Sequence, residues 1–416
     1  MLLQKPAFLL FYHTRAAEAS FGEWLGVLWH GLSLDCTVAG YVTAFPVVVV
    51  LASFWIPLSQ RVWRIILTVY FSLIALVTAA IFAVDLNLYG YWGFRLDGSV
   101  LIYLADPGEA LASASWGEVL RQIIIMLVYA GAMIWSYRRI LRLFRVEPVS
   151  LRGRIVPTVA ALLIGGLTFL AIRGGVTVAT ANVSKVYFSS NMFLNHAATN
   201  PVFSFLSSVG DNENYAEAYP FFEEERRKTL FEELRGNRPG ADAGTPRLLR
   251  SDRPNVVLIL LESFGRTIMD ETVNGEPVMP NMQRFKREGV WFENFFANSF
   301  RTDRGQVAVL CGFPAQTTMS IMKLPRKSAT LPSLARSLGR EGYRSVFMYG
   351  GDLNFTNQAS FMYSTGWEEL IWQKDMQLDA PTSKWGYADD VVVDLFGDEV
   401  EALGRAEQPF LAGLLT

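Results

Sequence analysis

Four apolar runs, each close to the length that crosses a bilayer, constrain this chain more than any other feature. They cover 36–57, 65–84, 123–135 with its flanks, and 155–172. A helix needs about 20 such residues to span the hydrocarbon core, and a single segment can satisfy its backbone there only as a helix. The third run has the shortest apolar core, so a helix buried in protein is its competing reading. Residues 2–12 are apolar but shorter, and they read as the tail of a further span, clipped at its start. No small-residue cleavage site follows them, which fits an anchor better than a removed signal.

The loops orient these spans. Arg61 and Arg64 lie between the first two runs, and Arg138, Arg139, Arg142, Arg145, Arg152 and Arg154 lie between the last two. The 85–118 stretch is instead mainly acidic, with Asp97, Asp106 and Glu109 against Arg95. Arg-rich loops stay in the cytoplasm. The alternation therefore predicts a multi-pass protein of the cytoplasmic membrane, with everything after Arg173 outside the cytoplasm. Trp92, Trp116 and Trp135 fall near span ends, as an interfacial aromatic belt requires.

Bulk composition agrees. The chain is 51% hydrophobic and 18% charged over 416 residues, too apolar for an ordinary soluble protein. A net charge of −2 supplies no field for nucleic acid. The two cysteines, Cys36 in an apolar run and Cys311 far from it, exclude a disulfide scaffold.

Three regions follow: an anchor over 1–175, a connector over 176–250, and a soluble domain over 251–416. Within the connector, 215–235 mixes aromatic pairs with Glu and Arg at helical spacing. A solvated linker helix and an amphipathic helix on the membrane face fit it equally. The turn-rich 238–246 stretch is a linker. Beyond it the pattern becomes α/β. NVVLILL at 255–261 is a continuous aliphatic run, as a strand buried on both faces of a parallel sheet requires. Helices are predicted at 282–288, 306–310, 331–341 and 388–403, and strands at 290–295, 344–348 and 410–415. Strands alternating with helices imply a mostly parallel central sheet.

Ligands of open α/β sheets sit beyond the carboxyl ends of strands, where Glu262 directly follows the 255–261 run. A carboxylate there suits a hard cation; capping a strand end is the plainer alternative. Forty residues on, Thr302 lies between Arg301 and Arg304, just ahead of a helix. A helix N-terminus with Arg nearby favours phosphate, and a Thr hydroxyl activated by a metal can attack phosphorus. The plainer alternative is that Thr302 or Asp303 caps the helix. His196 reads as satisfied or solvent-facing, and Cys311 as a packed small apolar residue.

Taken together, NVVLILLESFG and MPNMQRFKREGVWFENFFANSFRTDRGQ resemble the amino-terminal half of the alkaline phosphatase and sulfatase superfamily. The likeness is greatest to its lipoteichoic-acid-synthase and phosphoglycerol-transferase branch. Met279-Pro280-Asn281, the block from Gly342 to Gly350, and Trp385-Gly386-Tyr387-Ala388-Asp389 are similar to further family blocks. The resemblance implies an α/β alkaline-phosphatase-like domain behind a multi-span anchor. Glu262 becomes a metal ligand and Thr302 both a ligand and the nucleophile. Arg301 and Arg304 become candidates for steadying the phosphate. The ion is expected to be manganese, with magnesium or zinc as alternatives. Phosphatidylglycerol in the membrane is the implied donor, and an envelope glycan or polymer the acceptor.

Two departures qualify this. Where the family carries His, Trp and Arg around the headgroup, this chain has Tyr349, Thr356 and Gln358, with Asp352 and Asn357 as polar substitutes. The family's remaining ligands are an Asp-His pair and a further His. The three histidines here, His13, His30 and His196, all precede the soluble domain. The expectation is a chain truncated at its C-terminus, inside the 410–415 strand. Phosphoethanolamine transfer is the alternative within enzymes, although that class relies on several disulfides. A non-catalytic headgroup-binding membrane protein is the alternative outside them. Cys311 lacks the Cys-x-Pro-x-Arg context of sulfatases proper.

Overall fold

Each apolar run becomes one long helix in the computed structural model: Phe21–Ser53, Gln60–Trp92, Trp116–Leu141 and Arg152–Arg173. All four are long and apolar enough to cross a membrane. The structure describes residues 2–101, 115–145, 150–209, 220–236, 249, 251–316 and 319–416. The expectations on Asp106, Glu109 and the 238–246 linker lie outside the described residues. The chain divides into two compact units, Met1–Gly175 with His196–Pro254, and Val176–Asn195 with Asn255–Thr416.

In the first unit the helices begin and end where the chemistry of their caps dictates. Ser20 with Glu23, and Ser115 with Glu118, form reciprocal capping boxes. Gly93 and Gly174 take the left-handed conformation that closes a helix. The first helix therefore starts well before the apolar run at 36. The third helix leaves Leu120, Leu127 and Val128 exposed, so it is not a core helix within this unit. Such a bare aliphatic surface suits lipid.

The 2–12 stretch forms the helix Gln4–Phe11, of eight residues, which rise about 12 Å. It packs inward. Lys5 Nζ meets Asp35 at 2.6 Å with both side chains buried, and Asn200 donates to the same carboxylate at 2.7 Å. Gly31 leaves the slot for this approach, since an added Cβ would lie 1.8 Å from Lys5 Cε. A second buried pair joins Arg95 to Asp85 at 3.0 Å. Charges so placed need their partners.

The second unit is built on four parallel strands: β1 (Val256–Leu260), β2 (Arg344–Tyr349), β3 (Glu369–Trp372) and β4 (Phe410–Leu415). Their order is β1-β4-β2-β3, with Val256 opposite Leu411, Arg344 opposite Phe410 and Val346 opposite Glu369. Side chains alternate between the two faces of the sheet. Phe347 and Leu411 pack with Val307, Leu310, Phe361 and Trp367 on one face. Val346, Met348, Ala412 and Leu414 pack with Val392, Phe396 and Leu403 on the other. Gly413 has no side chain because Phe347 and Trp367 fill its place, each 2.7 Å from where a Cβ would stand.

Two expectations change here. β1 is not buried on both faces: Val257 and Ile259 are nearly half exposed. They stand beside Ala412 and Leu414, but the helix Asp389–Gly404 that covers those residues does not reach the edge strand. The 290–295 segment forms no strand. It has no ladder partner among the described residues, and aromatic content alone does not make a strand.

Candidate active site

The site begins at the carboxyl edge of β1. Glu262 follows Leu261, and its N–H donates to Thr416 Oγ1 at 3.0 Å. The Thr416 N–H in turn donates to the Leu260 carbonyl at 3.1 Å. Neighbouring strand ends are thus clamped together beneath the carboxylate. Ser263, next in the chain, has φ +56°, a left-handed conformation that costs a non-glycine residue about 1–3 kcal/mol. The turn it makes takes the chain away from the edge directly after Glu262.

Thr302 comes from an unrelated stretch and meets that carboxylate. It is the first residue of the helix Thr302–Cys311, whose cap is Arg301 in extended conformation with no side-chain cap bond. The threonine hydroxyl is therefore not a capping group. It donates to Glu262 Oε1 at 2.8 Å. A hydroxyl at a helix N-terminus, bonded to a carboxylate, has a proton acceptor in place and a positive dipole end beside it.

The flanking arginines differ. Arg301 Nε donates to Asp303 Oδ1 at 3.1 Å, and its side chain stays 44% exposed. Arg304 is buried, with its guanidinium carbon 5.7 Å from the Phe300 ring centre. Arg301 is the one with donors facing solvent.

Tyr349 ends β2 at the same edge of the sheet. Burial pushes its phenol up to about 12, and the carboxylates of Glu262, Asp352 and Asp389 add to the rise. It is therefore a neutral hydroxyl within the electrostatic reach of these three carboxylates. Sequence reasoning had singled out Tyr349 only as a replacement and Asp389 only as part of a block. Their convergence depends on two close backbone approaches. Gly386 has φ +117°, and the Tyr387 N–H donates to the Gly350 carbonyl at 3.0 Å. Only glycine fits there, and so the 385–389 block closes over the 349–351 turn.

The remaining expected residues lie in the 352–357 loop. Asp352 Oδ1 accepts from both the N–H and the Nδ2 of Asn354, each at 2.9 Å. Asn357 is buried, and its amide is engaged on both sides. Nδ2 donates to the Met322 carbonyl at 3.0 Å, and Oδ1 accepts from Ser184 N and Oγ at 3.1 and 3.0 Å. The structure thus joins Glu262 to Thr302 and gives Asn357 to the packing of the loop. His196 lies in the first unit, where its Nδ1 is 3.1 Å from the Tyr89 hydroxyl.

Among the described residues no group of three His, Cys, Asp or Glu side chains is arranged to hold a metal ion. Glu262 and Thr302 supply two oxygen donors, the right kind for a hard cation. They fall short of the roughly six such an ion takes.

The sulfatase family profile matches residues 254–416. Phosphoglycerol transferase I of Xanthomonas campestris pv. campestris is 36% identical over 177 residues, covering 39% of this chain and 25% of the relative. Phosphoglycerol transferase I of Salmonella paratyphi B is 28% identical over 171 residues, covering 39% and 22%. A protein in the alkaline phosphatase superfamily from Vibrio parahaemolyticus aligns with a TM-score of 0.41 at 24% identity, over 47% of this chain and 49% of that one. The chain spans about a quarter of the length of the curated relatives it matches.

Proposed function

We propose, from the premise that residues 254–416 belong to the sulfatase and alkaline phosphatase superfamily, that this protein is a membrane-bound phosphoglycerol transferase working through Thr302. The observation that carries the reading is the 2.8 Å hydrogen bond from Thr302 to Glu262 at the sheet's carboxyl edge. As the Thr302 oxygen attacks phosphorus in a phosphatidylglycerol headgroup, Glu262 takes the hydroxyl proton. The bond from phosphorus to the diacylglycerol oxygen breaks, and that oxygen leaves as a hydroxyl after Glu262 passes it the proton through a water, which returns Glu262 to the carboxylate. A phosphoglycerol group then stays on Thr302. In the second half, a glycan or polymer hydroxyl gives its proton to the Glu262 carboxylate and attacks phosphorus, the bond from phosphorus to the Thr302 oxygen breaks, and Glu262 returns that proton to Thr302. Arg301, whose side chain is 44% exposed, offsets the charge gathered on phosphorus. Arg304 is buried, with its guanidinium beside the Phe300 ring.

Superfamily members generally use divalent metals. In this reading Glu262 and Thr302 would be two of the ligands, with manganese first and magnesium or zinc as alternatives. No step above runs through the ion. The Arg-rich loops support a domain outside the cytoplasm, and in this reading the membrane helices keep the enzyme on the surface where its lipid substrate is concentrated.

The test is a transfer assay with the protein in vesicles containing phosphatidylglycerol labelled in its diacylglycerol. The reading expects labelled diacylglycerol to appear with wild type and not with Thr302→Ala. Equal release by both proteins would remove Thr302 from the mechanism. Release from phosphatidylethanolamine alone would keep the mechanism and change the donor.

A further inference from the structure

The first residues after the last membrane helix are bonded into the loop beside the site, and nothing in the reaction as written uses them. Helix Arg152–Arg173 ends at Arg173, and by Asn182 the chain has joined the second unit. Asn182 Nδ2 donates to the Asn354 carbonyl at 2.8 Å. Ser184 is buried. It donates from N and Oγ to Asn357 Oδ1, and its Oγ accepts from the Ser360 N–H at 2.9 Å.

The loop it grips is strained. Thr356 and Asn357 have φ of +52° and +71°, a conformation that persists only where surrounding bonds determine it. From Asn357 the bonding continues toward the nucleophile. Asn357 Nδ2 donates to the Met322 carbonyl, the Met322 N–H donates to Ser320 Oγ at 3.2 Å, and Ser320 Oγ donates to the Asp303 carbonyl at 2.6 Å. Asp303 follows Thr302 in the first helical turn. A separate buried bond, from Gln306 Nε2 to Gln358 Oε1 at 3.1 Å, ties the same helix to the same loop. A second branch runs from Asn182 through Asn354 to the carboxylate of Asp352.

We propose that Ser184 and Asn357 are positioning residues for the Thr302 site. The segment emerging from the membrane anchor acts as a strap that sets the first turn of the Thr302 helix through a continuous hydrogen-bond chain. Ordinary packing of a connector against a domain would stabilise the fold without setting that turn, and the two roles predict different results. The coupling itself does not depend on the reaction; only the activity arm of the test rests on the phosphotransferase reading.

The experiment is hydrogen exchange by mass spectrometry on the whole protein in vesicles, comparing wild type with Ser184→Ala and Asn357→Gly. The glycine variant keeps the left-handed backbone without strain and removes only the amide's bonds. Amides of 302–311 are expected to exchange about tenfold faster in both variants, the effect of losing one buried hydrogen bond. Those of Asp389–Gly404, on the opposite face of the sheet, should not change. Turnover at Thr302 should fall by a similar factor with the lipid KM unmoved. Faster exchange confined to 183–186 and 354–360, or spread evenly over the unit, would overturn the proposal. So would faster exchange at 302–311 with wild-type turnover. If wild-type Thr302 proves unreactive, the functional reading fails, while the exchange pattern still decides the coupling.

Discussion

Gly386→Ala should be among the most damaging single-methyl additions available to the second unit. An added Cβ would lie 2.1 Å from the Gly350 carbonyl oxygen and 2.6 Å from Gly351 Cα. Both are backbone atoms, so no side chain can rotate away. At φ +117° an alanine also carries conformational strain of about 1–3 kcal/mol. Overpacking adds about 1–3 kcal/mol, for a total of about 2–6 kcal/mol. That is a large share of the roughly 5–15 kcal/mol that holds a domain together. At about 2–4 °C per kcal/mol for a unit of this size, the midpoint should fall by at least about 4 °C. Gly397 provides the control. It lies within the helix Asp389–Gly404 with nothing within 4 Å of an added Cβ, so Gly397→Ala should stabilise by about 0.5–1 kcal/mol. Thermal unfolding of the second unit can be followed by the labelling of Cys311, which is buried in the native state. If Gly386→Ala unfolds at the wild-type temperature, the close crossing of the 349–351 turn by the 385–389 block is wrong.

Further predictions concern groups that burial or charge has altered. Cys311, raised from 9.0 to about 11 by burial, should react with iodoacetamide at pH 8 about a hundredfold more slowly than an unperturbed thiol, and normally after urea unfolding; rapid native labelling would contradict its place in the core. Lys5→Ala leaves the buried Asp35 carboxylate without its cation and should cost about 3–5 kcal/mol in thermal unfolding, while replacing both partners with apolar residues should recover most of the loss. Tyr349, raised from 10.0 to about 12, contributes stability that is fully present below pH 10 and lost as pH rises toward 12. Tyr349→Phe should therefore lose less stability than wild type between pH 10 and 12, and parallel losses would show that the phenol is not held neutral by its surroundings.

Much of this architecture is legible in the residues because burial periodicity is a local signal. The four long apolar helices follow from apolar run length, and β2, β4 and the helix Asp389–Gly404 follow from their patterns. The failures have physical causes. The first long apolar helix starts at a Ser20–Glu23 capping box in a stretch too polar for an apolar-run search. β3 escapes notice because its Glu369 and Trp372 ends interrupt a four-residue run. The 290–295 segment reads as a strand from its aromatics, but strands exist by pairing. Glu262 and Thr302 were each ambiguous between structure and chemistry. The family resemblance linked them, and the hydrogen bond between residues 40 apart gives the link a geometry. The Ser184–Asn357 contact spans 173 positions between two polar residues with no periodicity, and such a pairing leaves no mark that one sequence can display.

The most direct measurement is the mass of the peptide carrying Thr302 after the protein has been incubated with phosphatidylglycerol and a divalent metal, then quenched in acid. The account predicts a phosphoglycerol adduct on Thr302, absent from Thr302→Ala and greatly reduced in Glu262→Gln. Consumption of the lipid with Thr302 unmodified, or an adduct on another residue, would contradict it.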